Sequence, residues 1–247
     1  GMPRAAAQTG LADRVLSPRI VRVYPFLGMA GTALICLVML GSALAYSGKQ
    51  GEPYSPLNHF VSELGEVGVS RAAWLFNAGL IAAGPLFAAF CVGLGLHLGT
   101  VLAYVSLAVG VLSGIFAAGV GIFPMNNLVP HIFVATWFFR SGLATVLLFG
   151  AAIAVQRRGR VRVHRAGGAV SAVVAAAYAA FLSTANLPTS GRASSLDVSG
   201  MAARPAFWLV AVLEWVVIVA TFLWFLGVSL TVRRRPGRPG PTGIAAD

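Results

Sequence analysis

Six long apolar segments, separated by short polar connections, constrain this 247-residue chain more than any other feature. They cover residues 26–46, 72–98, 101–123, 131–155, 169–187 and 205–232. A helix needs about 20 predominantly apolar residues to cross the hydrocarbon core of a bilayer. Only 10% of the residues are charged, whereas roughly a quarter are charged in soluble domains. The chain is therefore predicted to be an all-α polytopic membrane protein, a bundle of six transmembrane helices.

The net charge of +11 is concentrated at one side of such a bundle. Thirteen of the 18 basic residues fall in three groups: Arg4, Arg14, Arg19 and Arg22; Arg157, Arg158, Arg160, Arg162 and Arg165; and Arg233, Arg234, Arg235 and Arg238. The positive-inside rule places these groups, and with them both termini, in the cytoplasm. We expect a multi-pass protein of the plasma membrane whose arginines contact anionic lipid headgroups. This distribution argues against nucleic-acid binding.

The same pattern divides the chain into three parts. Residues 1–25 are a basic cytoplasmic segment, residues 26–232 are the six-helix membrane domain, and the Pro/Gly/Arg-rich residues 233–247 are expected to be a disordered cytoplasmic tail. Gly110 and Gly114, four residues apart in the third span, predict a close approach of two helices.

The first outer connection, residues 47–71, is the longest. Ser55 followed by Pro56 is typical of a helix start, and Gly65 of a helix end. Apolar residues recur between them at helical spacing, at Leu57, Phe60, Val61 and Leu64. A short amphipathic helix at the outer interface is predicted, with His59 and Glu63 on its polar face.

Two ionisable residues lie deep inside predicted spans, Arg140 in the fourth and Glu214 in the sixth. At about 1.5 Å of rise per residue, both lie roughly 12–14 Å below the outer surface. Charges inside a bilayer are expensive and usually paired or functional. An ion pair between Arg140 and Glu214 is predicted, near the depth of Tyr178 in the fifth span. Its role is either structural or ligand-binding.

Polar residues gather at the outer ends of the spans, above these two charges. Asn77, His131 and Asn186 lie there, beneath the connection that carries His59 and Glu63. We expect an outward-facing polar cavity with Arg140 and Glu214 at its floor. A small polar molecule or a lipid headgroup would enter it from the outer side.

A metal site is the alternative use of the same residues. His59 and Glu63 lie four residues apart, and His131 supplies a third ligand if the fold brings it near. Two histidines and one carboxylate hold zinc in several hydrolases, with the fourth position open to water. The sequence contains no other recognised catalytic motif, and no other cofactor is expected.

Short motifs resemble a known family of bacterial and archaeal membrane proteins. They are the run Ser62-Glu63-Leu64-Gly65, Phe76-Asn77 with Gly79 and Gly84, Phe123-Pro124, and His131. The family is catalogued as a domain of unknown function, number nine hundred and ninety-eight. It is distantly similar to the eukaryotic group that contains the damage-regulated autophagy modulator. The resemblance implies six helices and an outer site near the Ser-Glu-Leu-Gly run, but it implies no activity.

Three functions follow from these observations. The first is binding of a lipid headgroup or small polar ligand, with Arg140 meeting an anionic group. The second is intramembrane hydrolysis at a metal held by His59, Glu63 and His131. The third is a non-catalytic accessory subunit in which the Arg140–Glu214 pair is purely structural.

Overall fold

A computed structural model describes residues 18–156, 161–185 and 204–232 of the protein. Six long helices account for most of these ranges: α1 Pro18–Leu44, α2 Ala73–Leu98, α3 Val101–Ile122, α4 Leu128–Ala154, α5 Ala166–Ala185 and α6 Leu209–Thr231. All six are long and apolar enough to cross a membrane. The predicted all-α, six-helix fold is confirmed. Residues 1–17 and the predicted tail 233–247 lie outside the described ranges.

Two helix starts differ from the predicted ones by four residues or more. Helix α1 begins eight residues earlier than predicted, at Pro18 rather than residue 26. The added residues include Ile20, Val21 and Val23 beside Arg22, and Tyr24 is buried in the bundle, so the apolar helix extends further than the predicted span. Helix α6 begins later, at Leu209 rather than residue 205. The preceding backbone is used in contacts with the outer connection, described below.

The helices form a closed ring. Each packs against its neighbours in the sequence, and α6 packs against α1. Successive helices run in opposite directions, as short connections require. The end of the ring that carries residues 45–72, 123–127 and 204–208 is here called the outer end, and the opposite one the inner end. A ring of six helices leaves space at its centre, which is where the candidate site lies.

Close contacts between glycines hold α2 and α3 together. A Cβ atom at Gly84 would lie 2.5 Å from the Gly114 carbonyl oxygen, and one at Gly114 would lie 2.7 Å from the Gly84 carbonyl oxygen. Such distances leave no room for a side chain at either position. The close approach predicted from the spacing of Gly110 and Gly114 is confirmed, with Gly110 resting on Cys91.

The inner end is closed by polar contacts of Gln156. Its Nε2 donates to the carbonyls of Ile153, at 2.8 Å, and Val163, at 2.9 Å, while its Oε1 accepts the Arg162 N–H at 2.7 Å. Arg165 also donates to the Gln156 carbonyl. Residues 161–165, which precede α5, are thereby fixed to the end of α4, and an isolated bridge joins Val163 to Val232.

The prediction of a short amphipathic helix in the outer connection is wrong, both in the length of the helix and in its exposure. The structure has a turn at Ser55 and then a 3-10 helix, Val61–Gly65, most of it buried. Two backbone N–H groups are taken by carboxylates instead of helical carbonyls: Phe60 donates to Glu63 and Val61 to Glu214. The Leu57 carbonyl accepts the Trp208 N–H at 2.8 Å. These contacts dock the connection onto the ring and interrupt an α-helix.

Candidate functional site

A partly enclosed cavity lies at the centre of the ring. All six helices contribute to its wall, which is mostly apolar: examples are Ile35, Phe87, Ala117, Phe138 and Phe225. A second cavity opens beside it between α4, α5 and α6 at the outer end. The two share Ser62, His131, Ala135, Phe139 and Glu214 in their walls. They therefore meet at the outer end of the ring.

Three of these shared residues are polar, and they form what we call the polar end of the cavity: Ser62, His131 and Glu214. Ser62 belongs to the 3-10 helix, His131 to the first turn of α4 and Glu214 to the second turn of α6. His131 and Glu214 are buried, at 6% and 7% exposure. The histidine and the carboxylate that line the cavity thus lie at its outer end.

The geometry of His131 is set by its own connection. Its Nδ1 lies 2.8 Å from the carbonyl oxygen of Phe123, which only accepts hydrogen bonds. The proton is therefore on Nδ1, and in the neutral ring Nε2 is an acceptor. Because no other bond holds the ring among the described residues, Nε2 is available to a molecule in the cavity.

Glu214 is fixed from the outer side. One carboxylate oxygen, Oε2, accepts the Val61 N–H at 2.7 Å. The other oxygen makes no hydrogen bond within the described residues, although the side chain lines both cavities. Glu214 therefore anchors the 3-10 helix with one oxygen and leaves one for a ligand.

A second group of hydroxyls lies deeper in the cavity. Tyr178 on α5 and Thr221 on α6 are hydrogen-bonded at 2.9 Å, and the Thr145 hydroxyl donates to the Ser141 carbonyl at 2.7 Å. Tyr178 packs over Gly142, where a Cβ atom would lie 2.5 Å from its hydroxyl. The hydrogen-bonding capacity of these hydroxyls is largely used by one another and by the backbone. They therefore shape the wall of the cavity rather than bind a ligand.

Glu63, predicted to line the cavity, instead forms a buried ion pair with Arg204. The guanidinium donates twice, at 3.0 Å to Oε1 and 2.6 Å to Oε2, and once more to the Asn58 carbonyl at 2.6 Å. Burial opposes the charge on Arg204, but the bonds to Glu63 outweigh burial and raise the pKa of the guanidinium. The Asn58 side chain returns a bond to the Pro205 carbonyl at 2.8 Å. The pair thus ties the outer connection to the segment before α6.

His59 lies behind the 3-10 helix in an aromatic cluster, away from both cavities. Its ring packs against Tyr46 and Tyr54, at centroid distances of 5.3 Å and 5.1 Å. Nδ1 lies 2.8 Å from Asn58 Oδ1, and Nε2 makes no hydrogen bond with the described residues. Burial lowers the pKa of His59, despite the nearby Glu63 and Glu52. Burial also raises the pKa of the Tyr54 phenol, whose hydroxyl donates to the Phe60 carbonyl.

Asn77 supports the Ser-Glu-Leu-Gly run from below. Its Nδ2 donates to the Gly65 carbonyl at 3.0 Å. A Cβ atom at Gly65 would lie 2.3 Å from Asn77 Oδ1 and 2.8 Å from Phe76 Cδ1. This contact explains why glycine stands at position 65, and it gives Asn77 a structural role outside the cavity.

The predicted Arg140–Glu214 pair is not formed. Arg140 points away from the ring and is exposed, with its guanidinium 5.8 Å from the centre of the Trp137 ring. The two residues share a depth, but depth does not determine which face of α4 a side chain occupies. Arg140 is therefore not the floor of the cavity, whose wall is mostly apolar.

The predicted metal ligands also do not meet. Among the described residues, no three side chains of His, Cys, Asp and Glu lie close enough to hold a metal ion. His59 is enclosed by tyrosines, Glu63 is taken by Arg204, and only His131 faces the cavity. Asn186, the remaining predicted site residue, lies outside the described ranges.

Two important residues were not assigned these roles from the sequence. From the sequence, Ser62 is known only as the first residue of the Ser-Glu-Leu-Gly run, and Arg204 is not among the predicted site residues. A signal for Arg204 exists, because Glu63 needs a partner when buried and few cations lie at the outer end. The family resemblance implies a site near the Ser-Glu-Leu-Gly run, but nothing in the sequence places the Ser62 side chain against the cavity.

Fold and site together define a multi-pass membrane protein with six helices around a central cavity that is polar at its outer end. A family model described as "Protein of unknown function (DUF998)" matches residues 29–231. The chain belongs to this family, as its motifs predicted. No curated protein and no solved structure matches the chain. The distant similarity to the autophagy-modulator group stays a prediction.

Proposed function

We propose that this protein binds a membrane amphiphile in the central cavity. The supporting observation is the division of the cavity into an apolar part within the ring and a polar end at Ser62, His131 and Glu214. An acyl or alkyl chain would lie among the apolar side chains, and its head group would meet the polar end. This assignment replaces the small polar ligand expected from the sequence, because so much of the wall is apolar.

The bilayer determines which contacts select the ligand. A chain that leaves the surrounding lipid for the cavity exchanges one apolar environment for another, so it gains little hydrophobic free energy. Hydrogen bonds at the polar end therefore provide most of the discrimination. In that apolar environment a charge-assisted hydrogen bond is about twice as strong as a neutral one.

We place the outer end on the external side of the plasma membrane, with both termini in the cytoplasm. The basic groups around residues 157–165 then contact anionic headgroups of the inner leaflet. The test replaces Cys36 and Cys91 and introduces a single cysteine at Gln50 or at His164. Impermeant reagents added to intact cells should label Gln50→Cys and leave His164→Cys unlabelled. The reverse pattern contradicts this orientation.

Trp224 offers a direct test of chain binding. It is 1% exposed and lines the cavity, so bilayer lipid cannot touch it. In a variant that retains Trp224 as its only tryptophan, an octadecanol brominated near mid-chain should quench the fluorescence. Ala135→Phe should suppress quenching, because Ala135 lines both cavities between the polar end and Trp224.

Ala151→Phe is the matched control for this experiment. It adds the same ring to the same helix, at an exposed position that faces the bilayer. Quenching should survive in this variant. Absence of quenching in the parent, or equal quenching with Ala135→Phe, contradicts the proposed function.

A second candidate, an accessory subunit, is favoured by one observation. Arg140 is exposed in the middle of α4, where a lipid-facing charge costs about 2.5–3.5 kcal/mol. A carboxylate on a transmembrane helix of another protein would remove this cost. If so, Arg140→Leu should abolish co-purification of a partner from native membranes, whereas Arg71→Leu should not. Hydrolysis at a metal is not proposed, because its three ligands lie apart.

A further inference from the structure

We infer that the head group recognised in the cavity is a protonated amine, held by the free oxygen of Glu214 with Ser62 and His131 around it. This inference rests on the proposed function and specifies the class of amphiphile. It follows from the hydrogen-bonding capacity of the polar end, which consists mainly of acceptors.

Glu214 provides the first acceptor and, of the residues that the structure describes, the only carboxylate in the wall of either cavity. Its Oε2 is occupied by the Val61 N–H, and its Oε1 has no partner within the described residues. The side chain is buried at 7% exposure, and a buried carboxylate without a cation is unfavourable. An ammonium group entering the cavity would supply both the missing charge and the missing donor.

His131 provides the second acceptor. Its proton is held on Nδ1 by the Phe123 carbonyl, which leaves the Nε2 lone pair for a ligand. The Ser62 hydroxyl, whose contact is a weak one with Met125 Sδ at 3.5 Å, completes the group. An ammonium carries three donors and no acceptor, which matches three acceptor sites.

Within the described ranges, no cation is available to recognise an anionic head group instead. Among the described residues, neither cavity is lined by lysine or arginine. Arg204 is bound to Glu63, Lys49 lies 3.1 Å from Glu66, and Arg140 faces outward. A phosphate or carboxylate would therefore meet one hydroxyl donor, at Ser62, together with two acceptors and a like charge. This reverses the preference for an anionic ligand expected from the sequence.

The test compares three probes with the same chain: dodecylamine, dodecanol and dodecanoate, at pH 7. Each is titrated into the full-length protein in phosphatidylcholine nanodiscs, and Ala135→Phe nanodiscs provide the baseline for partition into lipid. The amine should bind about tenfold more tightly than the alcohol, a difference of about 1.4 kcal/mol. Dodecanoate should bind most weakly.

Glu214→Gln then tests the residue itself. The amide oxygen still accepts the Val61 N–H, so the 3-10 helix keeps its anchor, and the charge is lost. Affinity for the amine should fall about tenfold, to that of the alcohol. Ser62→Ala provides a second variant, with a smaller loss of two- to threefold expected for the amine.

The outcomes separate the two levels of the proposal. Equal binding of the three probes above the Ala135→Phe baseline, or tightest binding of dodecanoate, overturns the amine assignment and leaves chain binding intact. Binding of every probe at the Ala135→Phe level overturns the proposed function as well. Unchanged amine affinity in Glu214→Gln overturns the role of Glu214.

Discussion

The Glu214 carboxylate accepts the backbone N–H of Val61 at 2.7 Å, a contact between residues 153 positions apart. It joins the wall of the central cavity to the 3-10 helix that covers its outer end. A ligand that binds the second oxygen of Glu214 would therefore act on the residue that fixes this cover. The same carboxylate connects the binding site to the outer connection.

The Arg204–Glu63 pair should contribute strongly to stability. Arg204→Leu leaves the Glu63 carboxylate buried without its cation, and such a loss typically costs about 3–5 kcal/mol. Since the Arg204 side chain is 22% exposed, we expect the lower end of this range. Thermal unfolding in detergent measures the change, with Arg71→Leu as the control at an exposed outer arginine. Equal melting temperatures for the two variants would show that the pair is not a structural contact.

Arg140→Leu, unlike Arg204→Leu, should not lower the stability of the protein. Arg140 is exposed and Glu214 does not depend on it, so the variant loses no ion pair within the described residues. Removing a lipid-facing charge should leave the melting temperature unchanged or raise it. A marked loss of stability that is recovered by Glu214→Leu would restore the pair predicted from the sequence and contradict the structure.

Gly65→Ala should destabilise the outer connection. The new methyl group would lie 2.3 Å from Asn77 Oδ1 and 2.8 Å from Phe76 Cδ1, and both of these side chains are buried. Overpacking of this kind costs about 1–3 kcal/mol. Gly227→Ala is the control, because nothing lies within 4 Å of its added Cβ and alanine favours a helix. Urea or thermal unfolding of both variants makes the comparison, and equal stability would show that residue 65 has room to move.

Stability should fall on acidification because of His59. Burial holds the pKa of His59 below the value of about 6.5 that applies to the unfolded chain. The unfolded state therefore binds more protons, so the contribution is complete above pH 6.5 and is lost as the pH falls through the folded pKa. Glu63, Glu52 and Arg204 are the charged groups nearby.

Melting temperatures measured between pH 7.5 and 5 test this expectation. In His59→Gln the free energy of unfolding should depend less steeply on pH, by up to about 1.4 kcal/mol per pH unit for one proton. His131→Gln serves as the comparison for the other buried outer histidine. If His59→Gln leaves the slope as it is in the parent, His59 is not the group responsible.

The fold was predictable because its determinants are local. Length, hydropathy and the positions of polar connections define six spans, and the spacing of Gly110 and Gly114 predicts a close helix contact. The 3-10 helix was not predictable in this way. The Val61 N–H donates to Glu214, and the Leu57 carbonyl before the 3-10 helix accepts the Trp208 N–H. Both partners are more than 140 residues away in the sequence.

The candidate site was predictable only in part, for the same reason. Depth in the membrane follows from residue number, so Glu214 and Tyr178 were expected at one depth and His131 nearer the outer end. All three line the central cavity. The direction of a side chain around its helix depends on how neighbouring helices pack. Arg140 is exposed on the outside of the bundle and His59 packs against two tyrosines. A hydropathy profile predicts neither orientation.

Native mass spectrometry of the protein released from membranes tests the central claim most directly. The parent protein and Ala151→Phe should each retain a bound amphiphile, visible as one additional mass of a single-chain or two-chain lipid. Ala135→Phe, whose added ring fills the cavity next to its polar end, should have lost that mass. The same bound mass in all three proteins, or none in the parent, would contradict binding in the central cavity.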